Sequence, residues 1–373
     1  MAGRPVSPRR GMRRRPAALV IVAIVATSIV YALIASPRPS SGLASKDPVC
    51  DVARDVQVCS HQLKGMASLP VEDPPVDGSL AGMTAMWREG ITCFDVDGSL
   101  TSDGSMLATH PRRFADATGG KMPGEVTLRQ AREAGAVDDA FPTLDDLIAH
   151  FASLVNTEPP DFRPPAWRGT DSFARRSASG SSGSRHRRRR RRRAAPELTG
   201  PVLCLDLKGD ALAPQHATRL AALATSLGIA GRVLVYVYDG GEDDAVLNAL
   251  AEKHPRIAVG LGRRDEDPTH LDADALRVAA RGAEGGADLN DDDDDDERRG
   301  IVRAIVPSVG FDARWYEAAV RTGLHVVSWV VDDEATLRAQ LARGVSGFIT
   351  NEPGAMLRAL HDTRIRCERE NYW

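Results

Sequence analysis

Lysine is scarce in this 373-residue chain. Five lysines stand against 48 basic residues in all, so arginine carries nearly the whole positive charge. Cysteine is scarce too, at five, which excludes a small scaffold held together by disulfides. None of the five lies in a metal-type CxxC pair. No internal repeat of 20–50 residues is visible. A large net charge is also absent, the formal balance being −3. What the chain does have is 42% hydrophobic residues, enough for a sizeable core.

The small net charge conceals three blocks. Residues 1–16 carry six arginines and no acid, residues 185–193 carry eight arginines, and residues 291–297 read DDDDDDE. With these set aside the remainder is acidic, and no nucleic-acid partner is expected. Residues 17–35, AALVIVAIVATSIVYALIA, are uncharged and long enough to span a bilayer. The arginines before them keep the N-terminus cytosolic by the positive-inside rule. The expectation is a single-pass type II signal-anchor with a cytosolic tail at 1–16 and a linker at 36–48. A cleaved signal peptide is the rival reading. Either way the rest of the chain faces the secretory-pathway lumen or the extracellular space.

Beyond the linker, apolar strand patterns alternate with helical ones. Strands are predicted at 56–61, 91–97, 202–208, 232–238, 257–261, 302–306, 324–331 and 346–350. Helices are predicted at 79–89, 143–155, 214–228, 243–254, 312–322, 334–343 and 353–360. Eight such units predict an α/β fold, a single (β/α)8 TIM barrel over 49–373. A doubly wound open sheet is the alternative. Two stretches break the pattern: 157–200, rich in Pro, Ser, Gly and Arg, and 281–300, Gly-rich and then acidic. Both read as disordered loop insertions. Without anchor, linker and insertions the length is close to the ~250 residues of one barrel.

If the chain faces a lumen, disulfides are permitted. Cys50 and Cys59 are close enough in sequence to pair. Cys93 and Cys204 each lie two residues before an acid on a strand, and read as buried free thiols inside the barrel. Cys367 is left to pair with the N-terminal region.

The chemistry sits on three successive strands. Asp95 and Asp97 alternate with Phe94 and Val96, so both carboxylates face one way. Asp206 and Lys208 alternate with leucines in the same manner. The strand at 56–61 ends in His61, and the turn at Asp103-Gly104 returns His110 to the same rim. In a barrel these groups gather at the C-terminal mouth. Three carboxylates suit one divalent cation, Mg2+ or Ca2+, held by Asp95, Asp97 and Asp206. Lys208 adds positive charge, and two histidines supply a general base and a general acid. The reaction class implied is phosphodiester cleavage.

The order of these residues resembles the glycerophosphodiester phosphodiesterase family. That family is a barrel with a strand-one His, an acid-x-Asp pair, T-x-D-G before a second His, and an acid-x-Lys strand. The segments Phe141-Pro142-Thr143-Leu144, 323–333 and 344–353 are similar to its helix start and its closing strands. The resemblance covers about residues 56–360 apart from the two loops. It agrees with His61, His110 and Lys208 as the catalytic groups; Gln62 and Asn351 are expected substrate-binding positions, and Trp329, inward-facing by alternation with Ser328, is expected to line the pocket. It implies a phospholipid-derived small-molecule substrate, a glycerophosphodiester or lysophospholipid; the chain is expected to be a monomer. Departures are clear: the family's His-Arg-Gly is His61-Gln62-Leu63, its Glu-x-Asp is Asp95-Val96-Asp97, its Glu-Asn-Thr is at most Asp77-Gly78-Ser79, and the third acid is Asp206 rather than Glu.

Three alternatives stand. Asp206-x-Lys208 and Thr350-Asn351 also resemble sphingomyelinase D, which would make the reaction a transphosphorylating cleavage. Loss of the arginine after His61 allows a catalytically dead barrel that binds lipid headgroups. Asp95-Val96-Asp97-Gly98 resembles the first motif of haloacid dehalogenase-like phosphatases, which use an open sheet.

Overall fold

The computed structural model describes residues 47–134, 141–157, 198, 200–237, 246, 249–250, 253–265, 302–321 and 324–370. The expected tail, the apolar run at 17–35, nearly all of the linker, residues 281–300 and most of 157–200 lie outside the described residues. So does most of the helix predicted at 243–254. Among the described residues no helix is long and apolar enough to cross a membrane.

Nine strands form one sheet. They are β1 (Gln57–His61), β2 (Cys93–Leu100), β3 (Met106–Ala108), β4 (Val202–Leu207), β5 (Val233–Val237), β6 (Ala258–Arg263), β7 (Val302–Pro307), β8 (His325–Trp329) and β9 (Gly347–Thr350). The order runs β1-β9-β8-β7-β6-β5-β4-β2, and β1 then pairs with β2. Every pairing in this ring of eight is parallel, so the sheet closes as the predicted (β/α)8 barrel. The closure overturns the open-sheet alternative, and with it the haloacid dehalogenase-like reading. β3 lies outside the ring, antiparallel to the end of β2.

Alternation along each strand sorts the side chains into two layers. Phe94, Val96, Leu203, Leu205 and Leu207 point outward into the core beneath the helices. Phe94 meets Phe151 of the helix Leu144–Asn156 edge-on, with ring centroids 6.1 Å apart. Cys93, Cys204, Leu234, Tyr236 and Val327 point inward and plug the barrel. Gly260 leaves room there: a Cβ on it would come within 3.2 Å of Tyr236 Cβ. Helix starts follow their caps. Ser79, Thr143 and Asp333 each accept a backbone N–H of the first turn of the helix that follows.

Several expectations are corrected. The linker ends earlier than predicted, because Asp47 already caps a short helix, Pro48–Ala53. The insertion predicted to run to 200 also ends earlier, since Leu198 is 4% exposed and packs with the barrel interior. The last helix reaches Arg369 rather than 360. Cys50 does not pair with Cys59. Cys59 and Cys93 occupy paired positions on β1 and β2, both facing inward, and form a disulfide. Cys93 is therefore not a free thiol. Cys50 bonds Cys367, joining the first short helix to the last. Cys204 is free and buried, as predicted.

Candidate active site

β2 and β4 run side by side in register, with Asp97 opposite Asp206. Alternation turns both toward the barrel axis, and Asp95, Asp97 and Asp206 are 2%, 4% and 3% exposed. Lys208, just past β4, bonds the Asp206 carboxylate and stands 3.2 Å from Asp97 Oδ1. Asp95 is engaged differently. Its Oδ1 accepts the Tyr236 hydroxyl from β5 at 2.6 Å.

His110 reaches the same mouth through the β2–β3 hairpin. Gly104, with φ +81°, turns the chain, and Thr101 Oγ1 donates to Asp103 Oδ1 at 2.6 Å. Gly98 then pairs with Ala108, and Ser99 Oγ donates to the Thr109 carbonyl at 2.7 Å. This hairpin sets His110 beside Asp97, whose charge it feels. His61 ends β1 opposite Asp95. The turn after it is strained, because Gln62 and Leu63 hold φ of 55° and 51°. Leu63 holds a left-handed conformation that glycine adopts more readily, and its side chain is buried at 1% exposure.

One cavity of ≈ 390 Å³ is lined by His61, Gln62, Asp95, Asp97, His110, Asp206, Lys208 and Trp329, eight of the nine residues expected at the site. Asn351 is the ninth and sits behind His61. Its Oδ1 lies 2.8 Å from His61 Nδ1. Its Nδ2 donates to Asp332 Oδ2 at 2.8 Å, while Asp332 Oδ1 accepts the Asn351 amide N–H and the Thr350 hydroxyl. Asp332 falls within the segment 323–333 but is not among the residues expected at the site. An amide whose nitrogen faces Asp332 must present its oxygen to His61. His61 therefore donates from Nδ1 and leaves Nε2 as an acceptor. His110 is arranged the other way. Its Nδ1 accepts the Arg112 backbone N–H at 3.2 Å, so a neutral ring carries its proton on Nε2.

Burial depresses both histidines below the ordinary value. For His61 the bond to Asn351 offsets part of that, and for His110 the Asp97 charge does. Burial, with Asp97 alongside, raises Asp95 to about 7. Burial outweighs Lys208 and raises Asp206 to about 8. Burial opposes the Lys208 ammonium, yet Asp206 and Asp97 together hold its pKa above the ordinary value.

The expected three-carboxylate metal set is only partly assembled. No group of three or more His, Cys, Asp or Glu with metal-binding geometry occurs among the described residues. Asp95 has one oxygen, Oδ1, engaged by the Tyr236 hydroxyl. Asp97 Oδ2 and Asp206 Oδ1, however, are buried with no hydrogen-bond partner. Two orphaned carboxylate oxygens on paired positions fit a hard divalent cation. Asp77, the weak counterpart of the family's Glu-Asn-Thr acid, accepts the Met66 amide N–H at 3.0 Å and does not line the cavity. Tyr236, Arg112 and Arg264 line the cavity without having been singled out in the sequence. A polar-tipped aromatic in the otherwise apolar Val233–Val237 was the one available signal for Tyr236.

No protein-family model matches the chain, and neither does any curated protein. Solved structures do match. A proposed glycerophosphoryl diester phosphodiesterase from Silicibacter pomeroyi aligns at 16% identity and TM-score 0.52, over 85% of this chain and 98% of that one. A glycerophosphodiester phosphodiesterase from Parabacteroides distasonis aligns at 12% identity and TM-score 0.51, over 83% and 98%. An Oleispira antarctica phosphodiesterase in complex with its product sn-glycerol-3-phosphate aligns at 13% identity and TM-score 0.50, over 82% and 96%. In fold, the chain is a (β/α)8 barrel similar to those of solved glycerophosphodiester phosphodiesterases.

Proposed function

We propose that this chain is a phosphoric diester hydrolase acting on glycerophosphodiesters or lysophospholipids. The observation that carries the reading is the complementary setting of the two histidines, which line one cavity with opposite nitrogens engaged. His61 Nε2 is placed to take a proton from the attacking hydroxyl or water. His110 presents its Nε2–H to the departing oxygen; to deliver a proton as the imidazolium it must release the Arg112 N–H and take a proton on Nδ1, a change that Asp97 and an arriving anionic phosphate favour. Lys208 opposes charge growing on the phosphoryl oxygens. Asp97 and Asp206, with Asp95 beside them, would hold a divalent cation, which when bound supplies charge neutralisation of the phosphate. Gln62 takes the place of the family's phosphate-binding arginine and offers hydrogen bonds without charge. Asn351 is a positioning residue for His61, and Trp329 walls the cavity while its Nε1 donates to the Val306 carbonyl at 3.0 Å. The apolar run at 17–35 would anchor a monomeric barrel on the lumenal or outer face of a membrane, near lipid-derived substrates.

The test is phosphorus NMR of glycerophosphocholine, glycerophosphoglycerol and lysophosphatidylcholine incubated with the purified chain and Mg2+ or Ca2+. A monoester product that disappears in His110→Ala supports hydrolysis. A cyclic phosphate points instead to the sphingomyelinase D type of cleavage. No turnover of any diester sinks the enzymatic reading.

A further inference from the structure

The three inward carboxylates share a pattern: on each, one oxygen is held by a protein donor. Asp95 Oδ1 accepts the Tyr236 hydroxyl at 2.6 Å. Asp97 Oδ1 stands 3.2 Å from Lys208 Nζ, and Asp206 Oδ2 is bonded by the same ammonium. The second oxygen of each is left over. Asp97 Oδ2 and Asp206 Oδ1 are buried without a hydrogen bond. The Asp95 carboxylate has Tyr236 as its one hydrogen-bond partner among the described residues.

The sheet builds the Tyr236 contact in. Tyr236 stands opposite Asp206 where β4 pairs with β5, whereas Asp95 stands opposite Cys204, two residues earlier on β4. The phenol therefore reaches past β4 to a carboxylate two strands away. Tyr236 and Asp95 are each 2% exposed, so bulk water does not compete for the bond. These commitments limit how a divalent cation can be gripped. To take both oxygens of Asp97 or of Asp206, it must share an oxygen with the Lys208 ammonium, like charge against like. To take both oxygens of Asp95, it must break the Tyr236 bond at a buried site. Each carboxylate is left to offer one oxygen. Ca2+ favours a larger shell with bidentate carboxylates, whereas Mg2+ is smaller, binds through few carboxylates and keeps several waters.

We propose that Tyr236 is a positioning residue that holds Asp95 to a single free oxygen, and so tunes the carboxylate set to Mg2+ over Ca2+. This inference rests on the reading of Asp97 and Asp206, with Asp95 beside them, as the holders of a divalent cation.

The experiment titrates MgCl2 and CaCl2 into the metal-stripped full chain by calorimetry, for the wild type and for Tyr236→Phe. The wild type should bind Mg2+ at least as tightly as Ca2+. In Tyr236→Phe the affinity for Ca2+ relative to Mg2+ should rise about tenfold, the worth of one hydrogen bond to a charged group. The substitution changes no charge, so a merely structural effect moves both cations together and leaves the ratio where it was. A wild type that binds Ca2+ more tightly than Mg2+, or a ratio unchanged in Tyr236→Phe, overturns the proposal while the cation site itself stands. If neither cation binds the wild type, the metal reading fails, and this inference fails with it. The melting temperature without metal shows whether Tyr236→Phe is folded. Should it not be, the wild-type ratio decides alone: equal or tighter Mg2+ supports the proposal, and tighter Ca2+ refutes it.

Discussion

His61 and Asn351 are joined by a hydrogen bond of 2.8 Å across the seam where β1 meets β9. Asp332 fixes the amide from behind, so three residues far apart in sequence set one imidazole's tautomer. Asn351→Ala should lower kcat by about 10–100-fold with little loss of stability. The bond to Asn351 raises the His61 pKa, so its removal should move the acid limb of the pH profile down. Asn351→Asp should move that limb up, because a carboxylate favours the imidazolium. Limbs that move the same way in both variants would contradict the arrangement.

The two histidines also set the pH optimum. His61 must be neutral and His110 protonated. Burial lowers both, which disfavours the imidazolium at each. The optimum of kcat/KM, a property of the free enzyme, should therefore lie below about pH 6.5. The profile of kcat should extend to higher pH, because bound phosphate supports the His110 cation. An alkaline kcat/KM optimum would count against this pairing of roles.

Carboxylate burial predicts how stability depends on pH without metal. Asp95 at about 7 and Asp206 at about 8 hold protons in the folded state that the unfolded chain releases near 3.8. Between those limits the folded state binds more protons, so stability falls as pH rises. Chelated protein should melt at lower temperature at pH 8 than at pH 5. Added divalent cation should raise the melting temperature more at pH 8. Asp97→Asn and Asp206→Asn should each weaken that rise, as calorimetry in both buffers would show.

Gly65 lies close to the His61 support. A Cβ there would stand 2.2 Å from the Asn351 carbonyl oxygen and 2.3 Å from Pro353 Cδ, at a φ of +88°. Gly65→Ala should cost about 2–4 kcal/mol by overpacking and backbone strain. It should also lower kcat, because the clash pushes on Asn351. Denaturant unfolding and turnover on the same preparation would test both.

Much of this was legible in the sequence because strands of period two announce their faces. Asp95, Asp97, Asp206 and Lys208 were placed inward from alternation alone, and inward they lie. β3 escaped notice because three residues are too few to show a period. The Cys59–Cys93 bond escaped because alternation gives the face of a residue and not its register against a neighbouring strand. Alternation says that Asp95 points inward, but not that Tyr236 holds one of its oxygens. Asp332 was hidden because its partner Asn351 is 19 residues away, across a helix.

The Cys50–Cys367 bond spans 317 residues and closes nearly the whole barrel into a covalent loop. A protease cut anywhere between those two cysteines, including in the arginine-rich stretch 185–193, opens the loop without releasing a fragment. The nicked protein remains one molecule until it is reduced. For a chain with so basic a segment, cleavage there becomes a change of topology rather than a loss of mass.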